Sequence, residues 1–139
     1  MIVPSPIEGG AACPCGTGRR YAECCGKFHH GAVPQRADEL MRSRYAAYAL
    51  GFDQYVLDTW HPSTRPASLD LTADQQGMKW IDLDVKRHEQ FDGGNAIVEF
   101  VARYKIAGRA HRMHEVSRFV REDGRWLYAG PAEETDASR

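Results

Sequence analysis

Two periodicities divide this chain. Up to residue 60 the apolar positions recur every three or four residues, and from Trp80 they alternate with polar ones. Met41, Tyr45, Tyr48 and Phe52 lie at i, i+4, i+7 and i+11, which predicts an amphipathic helix capped by Asp38, running to about Leu50 and terminated by Gly51. Asp53 opens a shorter helix through Tyr55, Val56, Leu57 and Trp60. The pair His61-Pro62 stops it, because proline disfavours helical geometry in the preceding residue. These two helices are expected to form a hairpin, and residues 70–76 one further short helix. Alternation then predicts four strands: one through Ile81, Leu83 and Val85; one through Val98, Phe100, Ala102, Tyr104 and Ile106 after the turn Asp92-Gly93-Gly94-Asn95; one from His111 to Arg121; and one from Trp126 to Ala129. Glu122-Asp123-Gly124-Arg125 supplies the last hairpin turn. Helices followed by successive strands imply an α+β domain, in which a bent antiparallel meander packs one face on the helical layer.

Composition narrows the class. With 139 residues the chain has room for one compact domain and a small appendage. A hydrophobic content of 42% and a charged content of 27% are ordinary for a globular protein, and no apolar run is long enough to span a bilayer. The net charge of -1 provides no global basic field for nucleic acid, so any such contact, for example with ribosomal RNA, has to be local.

The strongest chemical signal is at the start. All four cysteines, Cys13, Cys15, Cys24 and Cys25, fall within thirteen consecutive residues. Two close thiol pairs joined by a short hairpin can surround one Zn²⁺ tetrahedrally. Gly16 and Gly18 permit tight turns after the first pair, whose amides can hydrogen-bond the sulfurs. Disulfides compete with this reading, but Met1 to Pro6 has neither a basic segment nor an apolar run of secretory length, so a reducing cytoplasm is the expected compartment. His29 and His30 keep the ligand set open, since either imidazole is near enough in sequence to replace Cys25. Arg19, Arg20 and Lys27 either offset the negative charge of a tetrathiolate centre or contact an acidic partner.

The stretch C-P-C-G-x-G-R-R-Y-x-x-C-C-G, Cys13 to Gly26, resembles the SEC-C motif, a small zinc module found at the C-terminus of the SecA translocation ATPase. The resemblance implies Cys13, Cys15, Cys24 and Cys25 as zinc ligands, with Cys25 standing where SecA has histidine. It also implies a protein partner such as a chaperone, the ribosome or the export machinery. The Arg-rich helix, Thr59-Trp60-His61-Pro62, Phe100-Val101-Ala102-Arg103-Tyr104, Ser117-Arg118-Phe119 and Gly124-Arg125-Trp126 together resemble the YchJ-like family of bacterial proteins. That family joins a SEC-C knuckle to a cone-shaped NTF2-like domain. The expected organisation is therefore a flexible N-terminus (1–12), a SEC-C zinc knuckle (13–30), an NTF2-like domain (35–131) and a flexible tail (132–139).

An NTF2-like cone implies a pocket at its wide end, but fold alone assigns no chemistry. The candidate pocket residues are Tyr45, Trp60, His61, Arg103, Glu115 and Arg118. His61 beside Trp60 is either a base or ligand-orienting group, or a helix-terminal cap. On the third strand Glu115, Ser117 and Phe119 share one face and His114, Val116, Arg118 and Val120 the other, so either Glu115 or Arg118 points inward. An inward Glu115 needs a partner, and Arg42, Arg44 or Arg103 are the candidates. It would serve as a structural ion pair, a ligand-orienting group or a catalytic carboxylate. His111 and His114, three apart on a strand, face opposite ways and do not suit a second metal site. Most of the aromatic residues read as core.

The leading expectation is an interaction protein whose knuckle docks on a macromolecular partner and whose cone takes a small ligand or second partner. The alternative is a lyase or isomerase working through His61 or Glu115. A homodimer is a further expectation, since NTF2-like sheets often pair.

Overall fold

A computed structural model describes residues 7–132. Residues 1–6 and 133–139, which belong to the two ends expected to be flexible, lie outside the described residues. The elements run α1 (Cys25–His29), α2 (Ala37–Leu50), α3 (Asp53–Asp58), α4 (Leu71–Asp74), β1 (Met78–Phe91), β2 (Asn95–Ile106), β3 (Arg109–Glu122) and β4 (Arg125–Pro131), with a 3₁₀ turn at Tyr21–Glu23. The helices-then-strands order expected from periodicity holds throughout.

α2 begins one residue earlier than its expected cap. Glu39, not Asp38, ties the end down: its Oε1 accepts the free amides of Gln35 at 2.9 Å and Arg36 at 3.2 Å, while Asp38 sits in the first turn paired with Arg36. Gly51 ends the helix in the left-handed region at φ +79°, and the Phe52 amide reaches back to the Ala47 carbonyl at 2.8 Å. The chain then folds straight into α3, which packs on α2 through a Tyr55 hydroxyl–Ser43 Oγ hydrogen bond of 2.7 Å. α4 is a single turn whose cap, Asp70, accepts from the Ala73 amide at 3.2 Å.

The strands form one antiparallel sheet in the order β1-β2-β3-β4. Its two-residue hairpins bend through left-handed backbone at Ala107-Gly108 and Asp123-Gly124, the arrangement that suits the twist of antiparallel strands. The free edge of β4 is covered by the chain leaving α3. The Tyr128 amide donates to the Thr59 carbonyl at 2.8 Å and the His61 amide to the Tyr128 carbonyl at 2.7 Å, a short parallel bridge that closes the sheet against the helices.

Simple alternation fails in β1. Register shifts between Trp80 and Asp82 and between Val85 and Arg87 mark two bulges. Trp80 pairs with Tyr104, Leu83 with Ala102, Val85 with Phe100 and His88 with Val98, so these four share the inner face despite mixed parity. Ile81, expected inside with Leu83 and Val85, falls in the first bulge and is 44% exposed. Each bulge adds twist, and the bent strand wraps the sheet around α2.

The inner face contributes Val98, Phe100, Ala102 and Phe119 to a core that meets Leu40, Met41, Tyr45 and Ala46 of α2. The same cluster contains Cys13, Cys15, Tyr21, Cys24 and Cys25. The cysteine hairpin is therefore continuous with the core of the cone. The described part of the expected flexible lead joins it, since the Tyr21 and Ala22 amides donate to the carbonyls of Ala11 (2.8 Å) and Gly9 (3.0 Å).

The bulge makes a sharp distinction between neighbours. Ile81→Ala is expected to change stability by less than about 0.5 kcal/mol, whereas Leu83→Ala costs about 2–4 kcal/mol because it opens a cavity in the core. Urea denaturation of both variants checks this; comparable losses would mean that β1 runs without the first bulge.

Candidate functional site

The chain presents two candidate sites, the sulfur cluster and the cavity of the cone. The four cysteine Sγ atoms lie within 4.8 Å of one another, each residue is at most 5% exposed, and none forms a disulfide. Local sequence explains the gathering. Gly16 and Gly18 take φ +87° and +85°, as the tight turns after the first pair require. The Cys13 amide donates to the Arg19 carbonyl at 3.0 Å, closing the hairpin, and the 3₁₀ turn then delivers Cys24 and Cys25 at the start of α1. Gly26 is required for a different reason: a Cβ there would stand 2.6 Å from the Tyr21 carbonyl, so only glycine lets α1 fold back over the turn.

The cluster has the electrostatics of a cation site. Without a positive charge among them the sulfurs share protons: hydrogen bonding from Cys13 drives the Cys15 thiol far down, and the same bond pushes Cys13 up to about 11. Cys25 is driven up by its bonds to Cys13 and Cys15 and by burial. Four buried thiols this close cannot all ionise unless a cation neutralises them. The Thr17 amide stabilises ionised Cys15, and the Thr17 hydroxyl lies 3.2 Å from Cys24 Sγ, so the turn supplies polar groups around the sulfurs. The donor set fits a soft-ligand divalent metal.

The two histidines left open as ligands are engaged elsewhere. His29 accepts from the Tyr21 hydroxyl at Nδ1 (2.6 Å) and donates from Nε2 to the Ser43 carbonyl (2.8 Å). His30 Nδ1 donates to the Gly26 carbonyl at 2.6 Å. His29 thus pins the hairpin to the middle of α2, packed edge-on against the rings of Phe52 and Tyr55. Arg42 adds a second tie, donating from Nη1 to the Cys15 carbonyl at 3.0 Å. Periodicity carries no signal of either contact. Arg19, Arg20 and Lys27 are exposed, and Arg20 pairs with Glu23.

The second site is a cavity of about 270 Å³ between α2 and the inner face of the sheet, flanked by Trp60 after α3 and Gln75 just past α4. Of the residues expected there, Tyr45, Trp60 and Glu115 line it. The other three lie outside. His61 is held on the surface by Ser63 at Nδ1 (2.7 Å) and by Glu122, to which its Nε2 donates at 2.8 Å. Arg103 is on the outer sheet face, donating to Asp82 at 3.0 Å, and Arg118 is an exposed outer-face neighbour of the Ala129 carbonyl. The parity of β3 decides this, since Phe100 pairs with Glu115 and Val98 with Ser117, turning those residues inward and Arg118 outward. His111 and His114 do take opposite faces, His111 stacked on Tyr104 and His114 donating to Glu99 at 2.7 Å.

Glu115 finds hydroxyls in place of the expected arginine. Its Oε2 accepts from Ser117 Oγ at 2.5 Å and from the Tyr128 hydroxyl at 3.1 Å. Burial, reinforced by Glu115, pushes the Tyr128 phenol well above its usual value, so it remains a donor. Arg44, one of the partners considered for Glu115, lines the same cavity but makes no ion pair with it. Gln75 closes one end, donating to the Tyr48 carbonyl and accepting from Trp80 Nε1, both at 2.9 Å. An arginine inside the stripe Met41, Arg44, Tyr45, Tyr48 was the one sequence signal of a polar group in this wall.

Residues 36–131 match the family description "YchJ, middle NTF2-like domain" and residues 11–27 the SEC-C motif. A UPF0225 protein of Ralstonia nicotianae is 58% identical over 138 residues, covering 92% of this chain and 93% of that protein. The solution structure of a SEC-C motif containing protein from Rhodopseudomonas palustris superposes with a TM-score of 0.78 at 32% identity, over 88% of this chain and 98% of the other. A crystal structure of a SEC-C motif containing protein from Psychrobacter arcticus gives 0.73 at 25% identity, over 94% and 86%.

The His29 contact has a pH signature. Burial holds its pKa below the usual 6.5, so the fold requires the neutral ring. Its contribution is complete above that value and is lost as pH falls, because the unfolded chain takes up a proton that the folded one refuses. Between pH 7.5 and 5.5 the urea midpoint of the wild type should therefore fall further than that of His29→Gln. Equal falls would remove His29 as the cause.

Proposed function

Because the chain belongs to the YchJ family, which unites a SEC-C motif with an NTF2-like domain, we propose that it is a cytoplasmic zinc-dependent interaction protein: the cysteine hairpin docks on a macromolecular partner, and the cone takes a small ligand or a second partner. The observation that carries this reading is the buried four-sulfur cluster beneath an exposed basic rim. Cys13, Cys15, Cys24 and Cys25 would hold Zn²⁺. Thiolates about 2.3 Å from a tetrahedral ion stand roughly 3.8 Å apart, which a cluster confined within 4.8 Å accommodates after small adjustments. When bound, the ion supplies charge neutralisation and a cross-link. It leaves no open position for catalysis, as in other sites closed by four protein ligands.

Around it, Arg19 and Lys27 project into solvent without an ion pair among the described residues, a small basic surface suited to an acidic segment. The SEC-C module of SecA suggests a chaperone, the ribosome or the export machinery as the partner class. The reading as a lyase or isomerase loses ground here: His61 lies outside the cavity, and the Glu115 oxygen that meets hydroxyls is already bonded twice.

Two measurements test this. Elemental analysis of the purified chain is expected to give one zinc per molecule, and since the sulfurs sit in the common core, chelation is expected to unfold hairpin and cone in one transition. A metal-free chain with unchanged stability would overturn the zinc assignment. Reversing the rim charges with Arg19→Glu and Lys27→Glu, which leaves the ligands intact, is expected to deplete the co-purified partners at least tenfold. An unchanged partner set removes the hairpin from recognition.

A further inference from the structure

The cone buries a positive charge that no carboxylate among the described residues pairs with directly, although Glu115 lies in the same cavity and its field favours the charged form. Arg44 is 5% exposed in the middle of α2. Its Nη1 is used in full, donating to the Val56 carbonyl at 2.8 Å and Thr59 Oγ1 at 2.7 Å. The guanidinium carbon stands 4.5 Å from the Tyr128 ring centre and 5.1 Å from that of Trp60, so the two rings fix its plane. Among the described residues no carboxylate forms an ion pair with it, and Nε and Nη2 make no hydrogen bond. Burial lowers its pKa, the sign of a desolvated cation, although arginine stays charged at any physiological pH. An ionised group removed from water without an anionic partner is costly, and folded proteins normally supply one.

The negative group of the cavity is in the opposite condition. Glu115 Oε2 receives two hydroxyl hydrogens, from Ser117 and Tyr128, and only Oε1 is without a bond. Open to this cavity are thus a planar pair of donors on Arg44 and one acceptor on Glu115, beside the hydroxyls of Tyr45 and Tyr48, which make no hydrogen bond among the described residues. Around them the wall is aromatic and apolar, with Trp80, Phe100 and Phe119 on the sheet side. A volume of about 270 Å³ is at the lower edge of small-molecule sites. It suits one substituted ring and is too small for a dinucleotide or other large cofactor.

We propose that the cone binds a small aromatic carboxylate bearing a hydroxyl or amino group: the carboxylate accepts two parallel hydrogen bonds from Nε and Nη2 of Arg44, the ring lies against the sheet aromatics, and the second substituent donates to Glu115. This deepens the reading of the cone as a ligand site and rests on it. The bidentate geometry is what a guanidinium fork offers a carboxylate and what a lysine could not reproduce. The ligand would remove the unpaired charge that the apo fold carries.

The experiment is a titration of the 139-residue, metal-loaded chain with 3- and 4-hydroxybenzoate and 3- and 4-aminobenzoate, each against its neutral benzamide counterpart. It is followed by NMR on the indole N–H signals. Trp60 and Trp80 line the cavity and report on it, and Trp126, whose Nε1 donates to the Gln35 carbonyl outside it, is the internal control. At least one carboxylate is expected to shift Trp60 and Trp80 with a Kd at least tenfold lower than that of its amide. Arg44→Gln is expected to abolish that preference, and Met113→Trp, which fills the cavity from its lining, to block binding altogether. If Arg44→Gln does not fold, the carboxylate-to-amide ratio in the wild type and the Met113→Trp block decide alone. Equal affinities for acid and amide, both blocked by Met113→Trp, would overturn the carboxylate and leave the cone a ligand site. No perturbation of Trp60 and Trp80 by either series would overturn both.

Discussion

The fold depends on α2 being buried on more than one side. Met41, Tyr45 and Tyr48 face the sheet, Ser43, Arg44 and Ala47 face α3 and the chain that follows it, and Arg42 and the Ser43 carbonyl meet the cysteine hairpin. A helix enclosed in this way needs small residues where backbones approach, and Ala37, Ala46 and Ala47 are all fully buried. Sulfur cluster and cone share this helix, whose residues meet the hairpin on one flank and line the cavity on another. Arg42 joins the hairpin through the Cys15 carbonyl, and Arg44, two residues along the same helix, lines the cone.

That shared helix changes what the cysteine hairpin is. A metal module tethered by a linker would fold by itself and present all its faces. Here the sulfurs share a core with Leu83, Phe100 and Trp126, and the exposed residues of the hairpin, Arg19 and Lys27 among them, form only its outer rim. A cation taken up by these sulfurs would accordingly be coupled to folding of the shared core, since the four cysteines are also core side chains.

The cone follows the same logic from the polar side. Its inward-turned groups, Arg44, Glu115, Ser117 and Tyr128, lie on three different elements and are brought together by the bending of the sheet around α2. Hydroxyls satisfy the carboxylate, backbone and rings hold the guanidinium, and the two charges remain separate. A few polar groups facing an otherwise apolar wall are the arrangement by which small-molecule sites in general fix orientation.

Much of this was legible in the residues. The cysteine spacing with its two glycines located the sulfur cluster, the apolar periods located α2, α3 and the four strands, and parity on β3 separated Glu115, Ser117 and Phe119 from His114, Val116 and Arg118. These are local properties, set by turn geometry, by 3.6- and 2-residue repeats and by which ligands a short hairpin can reach. What the tertiary structure alone decided depends on distant partners. The bulges in β1 moved Ile81 outward and Trp80 inward; Glu39 displaced Asp38 at the helix start; His29 was drawn to Ser43 and away from the sulfurs; His61 turned to Glu122; and Arg44 was left without a direct ion pair to Glu115 inside the cone. Each outcome is a choice among hydrogen-bond partners that only become neighbours once the sheet has curled. No period or spacing in the chain encodes that proximity.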